Sequence, residues 1–326
     1  MCTSIAMMTD DFYFGRNMDL DCHFGERVVL TPRNYPVRFR RAGSMDAHYA
    51  ILGMASVAEN YPMYAEAMNE KGLCIAGLDF PDNAFYPEPK EDGSRYNVSP
   101  FELPLWLLGK CASADEAEKL LSETNIVNIP FSKDVPLTPL HWHIADSKRS
   151  LTLEVTKKGT GLFDNPVGVL TNNPPFEFQM TNLCNYINLT AEYPRNRLSG
   201  QIDLTPYGNG FGAIGLPGDY SPSARFVKAA FLKLNSDCEG TEDSSVSQFF
   251  HIMEAVSIVR GCVINKRNNM SLTTYSCCMD VTKGHYYYKT YSNRRPTAIS
   301  MFNEKLDDGC LKEFPLMDEQ SVLWLN

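Results

Sequence analysis

No stretch of the 326 residues is apolar for long enough to cross a membrane, and the first ten hold neither a basic segment nor a long apolar run before Asp10 and Asp11. Neither membrane insertion nor a secretory signal is expected, and the cytoplasm is the expected compartment. Positive charge is scarce: 30 Lys and Arg stand against 39 Asp and Glu, a formal charge of -9. A polyanion needs clustered cations, so nucleic acid is excluded as a partner. The one dense basic run, Arg38-Phe39-Arg40-Arg41, reads as a solvated loop. No two of the ten cysteines have CxxC spacing, which favours free thiols over zinc or disulfide staples. No GxGxxG follows a strand and no GxxxxGK[ST] is present, which removes the commonest nucleotide folds, and no GxSxG elbow marks a serine nucleophile. Repeats and low-complexity segments are missing too, and without export the sequons at Asn97, Asn188 and Asn269 carry no weight.

What is present is an ordinary globular composition, 44% apolar, 21% charged and 11% aromatic, with length for a large core. The start reads as a hairpin, a short apolar run to Met8, an acidic turn at Asp10 and Asp11, then Phe12-Tyr13-Phe14 returning. With that turn, antiparallel partners sum to about 21, which sets Cys2 opposite Asp19 and within a register step or two of Arg16. Ala50 to Met54 and Gly72 to Phe80 read as buried strands, with a helix or turn over Tyr61 to Met68 between them. Ser99-Pro100-Phe101-Glu102 is a capping box opening a helix through Leu105 and Leu108, and Ser113 with Glu116 opens a second. Leu140 to Ile144, Leu151 to Thr156 and Val167 to Thr171 read as strands, the last ending in the turn Thr171-Asn172-Asn173-Pro174. A long excursion at about 190–217 is a lid or an oligomer arm. Helices follow from Ser221 and over Ser245 to Arg260, ended by Gly261, with Phe249, Ile252, Met253, Val256 and Val259 inside. A hairpin over Thr273 to Tyr291 and a strand from Thr297 close the pattern. Strands, paired helices, then strands again suit an α+β fold, a four-layer αββα sandwich of two antiparallel sheets, with residues 1–326 as one domain.

Cys2 raises the chemical question. If Met1 is trimmed, one residue carries both a thiol nucleophile and an α-amine that titrates near ~8, close enough to neutrality to act as its base. On the hairpin register the Arg16 guanidinium can favour the thiolate and Asp19 can hold the amine. The other reading is that Cys2 is a small buried hydrophobe. His141 and His143 share a face if their segment is a strand, but no third ligand stands at metal spacing. His251, among apolar helix residues, reads as a core histidine.

Five spaced motifs bear on the choice: MCTSIAM at the start, FGRNMD at 14–19, NEKGLCIAGLDFP at 69–81, GVLTNNP at 168–174 and GLPGDYSPSARF at 215–226. In that order they resemble the choloylglycine hydrolase family, the conjugated bile salt hydrolases and penicillin V acylases. The resemblance implies the N-terminal nucleophile hydrolase fold and a cofactor-free amidase. It makes Cys2 the nucleophile with its freed amine as base, Arg16 beside the thiol, Asp19 positioning the amine, Asn172 an oxyanion donor and Arg225 the active-site arginine. Asp79 departs from the pattern, standing where bile salt hydrolases usually carry Asn and penicillin V acylases Tyr. Its backbone N–H remains the second oxyanion donor, while an ionised side chain would repel the oxyanion.

The resemblance further implies an apolar substrate pocket at Met18, Ala65, Phe131, Val135 and Leu140. Leu137 joins them because Phe131, Val135 and Leu137 sit in the Pro-bounded loop IPFSKDVPLTP. Tyr207-Gly208-Asn209-Gly210 resembles the loop variant associated with glycine conjugates, and the excursion implies a homotetramer. The expected activity is hydrolysis of glycine- or taurine-conjugated bile acids through a thioester, with transfer to other amines as a side reaction. The alternatives are a penicillin V acylase, disfavoured by the missing Tyr at position 79, and an inactive homologue that only binds bile acids.

Overall fold

The computed structural model of the protein describes every residue except Glu91. Strand β1 (Cys2–Met8) turns through Thr9–Asp11 into β2 (Phe12–Leu20). Next come β3 (Arg27–Thr31), the short β4 (Val37–Arg38) and β5 (Ser44–Met45), and a meander of β6 (Ile51–Ala58), β7 (Tyr61–Asn69) and β8 (Cys74–Asp79). Strand β9 (Tyr96–Val98) precedes α1 (Leu103–Lys110) and α2 (Ala114–Ser122), and β10 (Thr124–Ile126) returns beside it. A second meander of β11 (Leu140–Ala145), β12 (Ser150–Thr156) and β13 (Gly159–Asp164) is followed by β14 (Val169–Leu170) and α3 (Phe176–Leu183). Helices α4 (Pro222–Asn235) and α5 (Glu242–Ala255) lead to β15 (Val263–Ile264), β16 (Met270–Asp280), β17 (His285–Thr290), β18 (Thr297–Ser300) and β19 (Lys312–Phe314).

These strands make two large antiparallel sheets. One runs β14-β1-β2-β16-β17-β18 with β15 on β16, the other β13-β12-β11-β8-β7-β6-β3-β19. Helices α4 and α5 lie on the outer face of the first sheet and α1 on that of the second, while β1 and β2 face β8 across the middle. The result is the expected αββα sandwich. Period-two alternation decides which core each strand feeds: on β8, Cys74, Ala76 and Leu78 join the layer between the sheets, and Ile75 joins Trp106 and Trp142 under the α1 layer.

The expected register of the first hairpin is off by one. Its turn uses three residues, so Cys2 faces Met18 and Ser4 faces Arg16. Because opposed residues share a face, Cys2, Met18 and Arg16 point between the sheets and Asp19 points to the other side, toward α4. The segment expected as a helix or turn over Tyr61 to Met68 is strand β7. Glu59 and Asn60 both take positive φ (52° and 59°), which makes a two-residue hairpin turn of the primed type and pairs Ala58 with Tyr61.

Three helix boundaries also move. At the first, Glu102 Oε2 does accept from Ser99 N (2.9 Å), but Oε1 turns to Arg40 N (2.6 Å) and the helix begins only at Leu103. Helix α5 begins at Glu242 because Thr241 caps it, and it ends at Ala255 rather than at Gly261, which leaves Val259 exposed. His251 is exposed on that helix, not in the core. Strand β13, poor in apolar residues, has no counterpart in the pattern.

The two central strands approach closely only because position 15 lacks a side chain: a Cβ on Gly15 would lie 2.1 Å from Cys277 O on β16. Gly15→Ala is expected to cost about 1–3 kcal/mol through overpacking. Urea unfolding measures it, and an unchanged midpoint would mean that β2 and β16 separate freely.

Candidate active site

A defect in the second sheet prepares the site. The β6–β7 register shifts between Met54 and Ala55, so Ala65 is an extra, bulged residue. Pairing of β7 with β8 stops at Glu66 opposite Ala76. One step on, the carbonyls of Ala65 and Gly77 both accept from Arg16 Nη1 of the other sheet, at 3.2 and 2.5 Å. A guanidinium thus fills the split between two strands. Beside it opens a cavity of about 420 Å³ whose wall includes Cys2, Arg16 and Asp79.

All six apolar residues expected in the pocket, Met18, Ala65, Phe131, Val135, Leu137 and Leu140, line that cavity. Phe131 is buried rather than exposed with its loop, because Arg40 holds it: Nη2 donates to Phe131 O (2.7 Å), the guanidinium lies 5.0 Å from the ring centroid, and Phe101 packs edge-on at 5.3 Å. Phe24, Tyr64, Phe101 and Trp142 also line the wall and were not anticipated. Phe101 had a signal, its place in the capping box ahead of the pocket loop; the others read as ordinary core. A more open groove of about 500 Å³ beside β13 and α3, with Lys157, Lys158 and Glu177, holds none of the expected catalytic residues.

Around Cys2 the polar groups form one buried network. Asn172 Oδ1 accepts from Cys2 N (2.8 Å) and from Arg225 Nη2 (2.8 Å), and Asn172 Nδ2 donates to Asp79 O (2.7 Å). Arg225 Nη1 donates to Cys2 O (2.6 Å) and Thr3 Oγ1 (2.5 Å), and Nε to Tyr220 O (3.0 Å). Arg225 is therefore a buried clamp, although it sits on a helix. Burial pushes its pKa down, and Asp19, 3.8 Å away, opposes that. Asp19 Oδ1 accepts from Thr273 Oγ1 (2.6 Å), and Oδ2 is buried with no hydrogen-bond partner among the described residues. Met1 extends the hairpin: its ammonium donates to Asp19 O (2.7 Å) and its carbonyl accepts from Asp19 N (3.0 Å).

Asp79 and Asn172 converge from different sheets. Phe80 N donates to Pro139 O (2.8 Å), so by the alternation of an antiparallel pair the Asp79 N–H points away from β11. On that side β7 no longer covers β8. Burial pushes the Asp79 carboxyl above the usual carboxylate range, against the pull of the amino terminus and His141.

The two histidines of β11 face the first sheet, and all their nitrogens have partners. His141 contacts Glu154 Oε1 (3.2 Å) and Thr171 O (3.0 Å) and stacks on Phe80 at 4.2 Å, so it braces the residues next to both Asn172 and Asp79. His143 bridges Ser4 Oγ (2.9 Å) and Ser150 Oγ (2.8 Å). Both are brackets between the sheets, with no nitrogen left for a metal.

Comparison with known proteins agrees with this geometry. Residues 2–314 match the family described as linear amide C–N hydrolases, choloylglycine hydrolase family. Over 326 residues the chain is 47% identical to the bile salt hydrolase/transferase of Lactiplantibacillus plantarum, covering 100% of both chains. It is 38% identical over 331 residues to that of Clostridium perfringens, again covering 100% of each. The solved structure of the C2A mutant conjugated bile acid hydrolase from Clostridium perfringens superposes with a TM-score of 0.92 at 37% identity and 100% coverage of both. Penicillin V acylase from Agrobacterium tumefaciens gives 0.73 at 19% identity, covering 96% of this chain and 90% of that one, a likeness of fold.

His143 offers a test of the inter-sheet packing. Burial, helped by Lys233, pushes its pKa down to about 3. The unfolded chain takes that proton near ~6.5, so stability is full above that pH and falls as pH drops toward about 3. In NMR the His143 ring is expected not to titrate between pH ~8 and ~5; a midpoint near the ordinary histidine value would contradict the bracket.

Proposed function

The chain belongs to the choloylglycine hydrolase family, hydrolases of linear amide C–N bonds, and on that premise we propose that it cleaves glycine- and taurine-conjugated bile acids with Cys2 as nucleophile. The observation that carries the reading is the convergence of Cys2, Arg16 and Asp79 on one largely apolar cavity, with Asn172 and Arg225 bonded to the Cys2 backbone behind it.

Removal of Met1 turns the Cys2 nitrogen from an amide into an amine. Asn172 Oδ1 already accepts from that nitrogen, and Asp19 Oδ2, 3.8 Å from Arg225 but with no hydrogen bond among the described residues, is an acceptor for its added hydrogens. The amine takes the thiol proton and Arg16 stabilises the thiolate. Sulfur attacks the amide carbonyl, and the oxyanion meets the Asp79 N–H and Asn172 Nδ2, which spends one hydrogen on Asp79 O and keeps a second. The ammonium then gives its proton to the leaving nitrogen, the C–N bond breaks, and the bile acyl group remains as a Cys2 thioester. Water cleaves the thioester to the acid; a second amine in place of water forms a new amide and restores the thiol, the transferase branch.

The apolar wall around Met18, Phe131 and Leu140 suits a steroid face. Residues 1–326 act as one domain on this reading, and the excursion at about 190–217 serves as the arm of a homotetramer. Exposure of Leu198 (79%) and Tyr207 (94%) on it supports that assembly. No helix among the described residues is long and apolar enough to cross a membrane, and ten free cysteines fit a reducing cytoplasm.

Intact mass should find the purified protein one methionine residue lighter than the full sequence. Glycocholate should be hydrolysed while penicillin V is spared, and Cys2→Ala should abolish glycine release. Full turnover by protein that retains Met1 would end the proposal. Asn172→Ala is expected to lower kcat by about 10²–10³. For Asp79 the sign follows from its raised pKa: the ionised form gains as pH rises and repels the oxyanion, so kcat/KM should decline through that titration. In Asp79→Asn that decline should be missing; superimposable profiles would clear the side chain of any role.

A further inference from the structure

One buried acid next to this site is used by none of these steps. Glu66 follows the bulged Ala65 on β7 and points between the sheets. Tyr275 OH donates to its Oε2 at 2.8 Å, Tyr286 OH to its Oε1 at 2.7 Å, and Cys277 Sγ lies 3.6 Å from Oε1. Arg16 Nη1 stands 3.7 Å from Oε2. Those are the charged and titratable groups that face it, Arg16 from β2, Tyr275 and Cys277 from β16 and Tyr286 from β17. Its neighbours across β6 and β8, Met54 and Ala76, are apolar.

Arg16 therefore has one carboxylate 3.7 Å away and shares with Cys2 both a sheet face and the wall of the cavity. The carbonyls of Ala65 and Gly77 fix where the guanidinium sits, so it cannot move away from either. We propose that Glu66 is a positioning residue for the Cys2 reaction: its carboxylate competes with the Cys2 thiolate for the single Arg16 cation, and a proton gained by Glu66 releases that cation to the sulfur. The inference rests on the reading of Cys2 as nucleophile.

Burial raises the Glu66 pKa to about 6, against the opposing pull of Arg16 and the three donors. Above that pH Glu66 is an anion that shares the Arg16 charge; below it Glu66 is neutral and leaves that charge to the Cys2 sulfur. The other charges near Cys2, Arg225 from α4, Asp79 from β8 and Asp19 from β2, are untouched by a change at Glu66.

Alkylation of Cys2 by iodoacetamide tests this in the full chain, followed by mass spectrometry of the amino-terminal peptide so that the remaining cysteines do not contribute. Glu66→Gln keeps the shape and an acceptor for the tyrosines but removes the charge. Its Cys2 should react about tenfold faster near pH ~7. The inflection near about 6 in the parent profile, and in kcat/KM for glycocholate, should vanish. Tyr286→Phe removes one donor that favours the Glu66 anion, so there the inflection should move to higher pH; this variant decides if Glu66→Gln does not fold. Profiles superimposable on the parent's, in either variant, would overturn the proposal. A parent Cys2 that reacts no faster than the exposed Cys310 would instead overturn the nucleophile reading beneath it.

Discussion

One guanidinium stands where two strands would otherwise have paired. Arg16 reaches out of the first sheet and takes the carbonyls of Ala65 and Gly77, the next rung that β7 and β8 fail to make. Unpaired buried carbonyls cost about 1–3 kcal/mol each, and a charged donor satisfies both at once. The opening in the sheet is thereby tolerated, and it becomes the passage from Cys2, which faces the space between the sheets, to the apolar cavity under α1. Without the bulge at Ala65 the second sheet would close behind the thiol.

The site is consequently assembled from both sheets. Cys2 and Arg16 come from the hairpin of the first, Asp79 from β8 of the second, Asn172 from the turn after β14, and Arg225 from α4, which packs on the outer face of β1. Asn172 links three of them, holding the Cys2 nitrogen, the Arg225 guanidinium and the Asp79 carbonyl with one side chain. Its amide has enough donors and acceptors to do so, with the second Nδ2 hydrogen left over from the bond to Asp79 O. His141 and His143 span the two sheets nearby, which fixes the spacing on which that network depends.

Much of this could be read from residues alone, because hydrophobic alternation and turn chemistry are local. The four layers and the opening hairpin follow from such patterns, whereas the pocket residues Met18, Ala65, Phe131, Val135 and Leu140 are implied by the family resemblance alone, the loop pattern adding only Leu137. What could not be read depends on the partner strand. Nothing in Thr9-Asp10-Asp11 declares a three-residue turn, and that single residue decides that Asp19 points away from the Cys2 side chain. Nothing in Tyr64-Ala65-Glu66 declares a bulge, since a bulge exists only relative to β6. Glu66 draws no notice within a segment that reads as a helix or turn, and only its tyrosine partners on β16 and β17 show it as a buried acid between the sheets. Phe131 reads as a loop residue until Arg40 is found over its ring.

The rung between Met1 and Asp19 reaches back to the birth of the chain. Once the hairpin zips, the first peptide bond lies in a β-ladder, and a peptidase needs its substrate extended and unpaired. On the reading of Cys2 as nucleophile, trimming and zipping are thus rivals, and the order in which they occur separates an armed enzyme from a folded but silent one of identical shape.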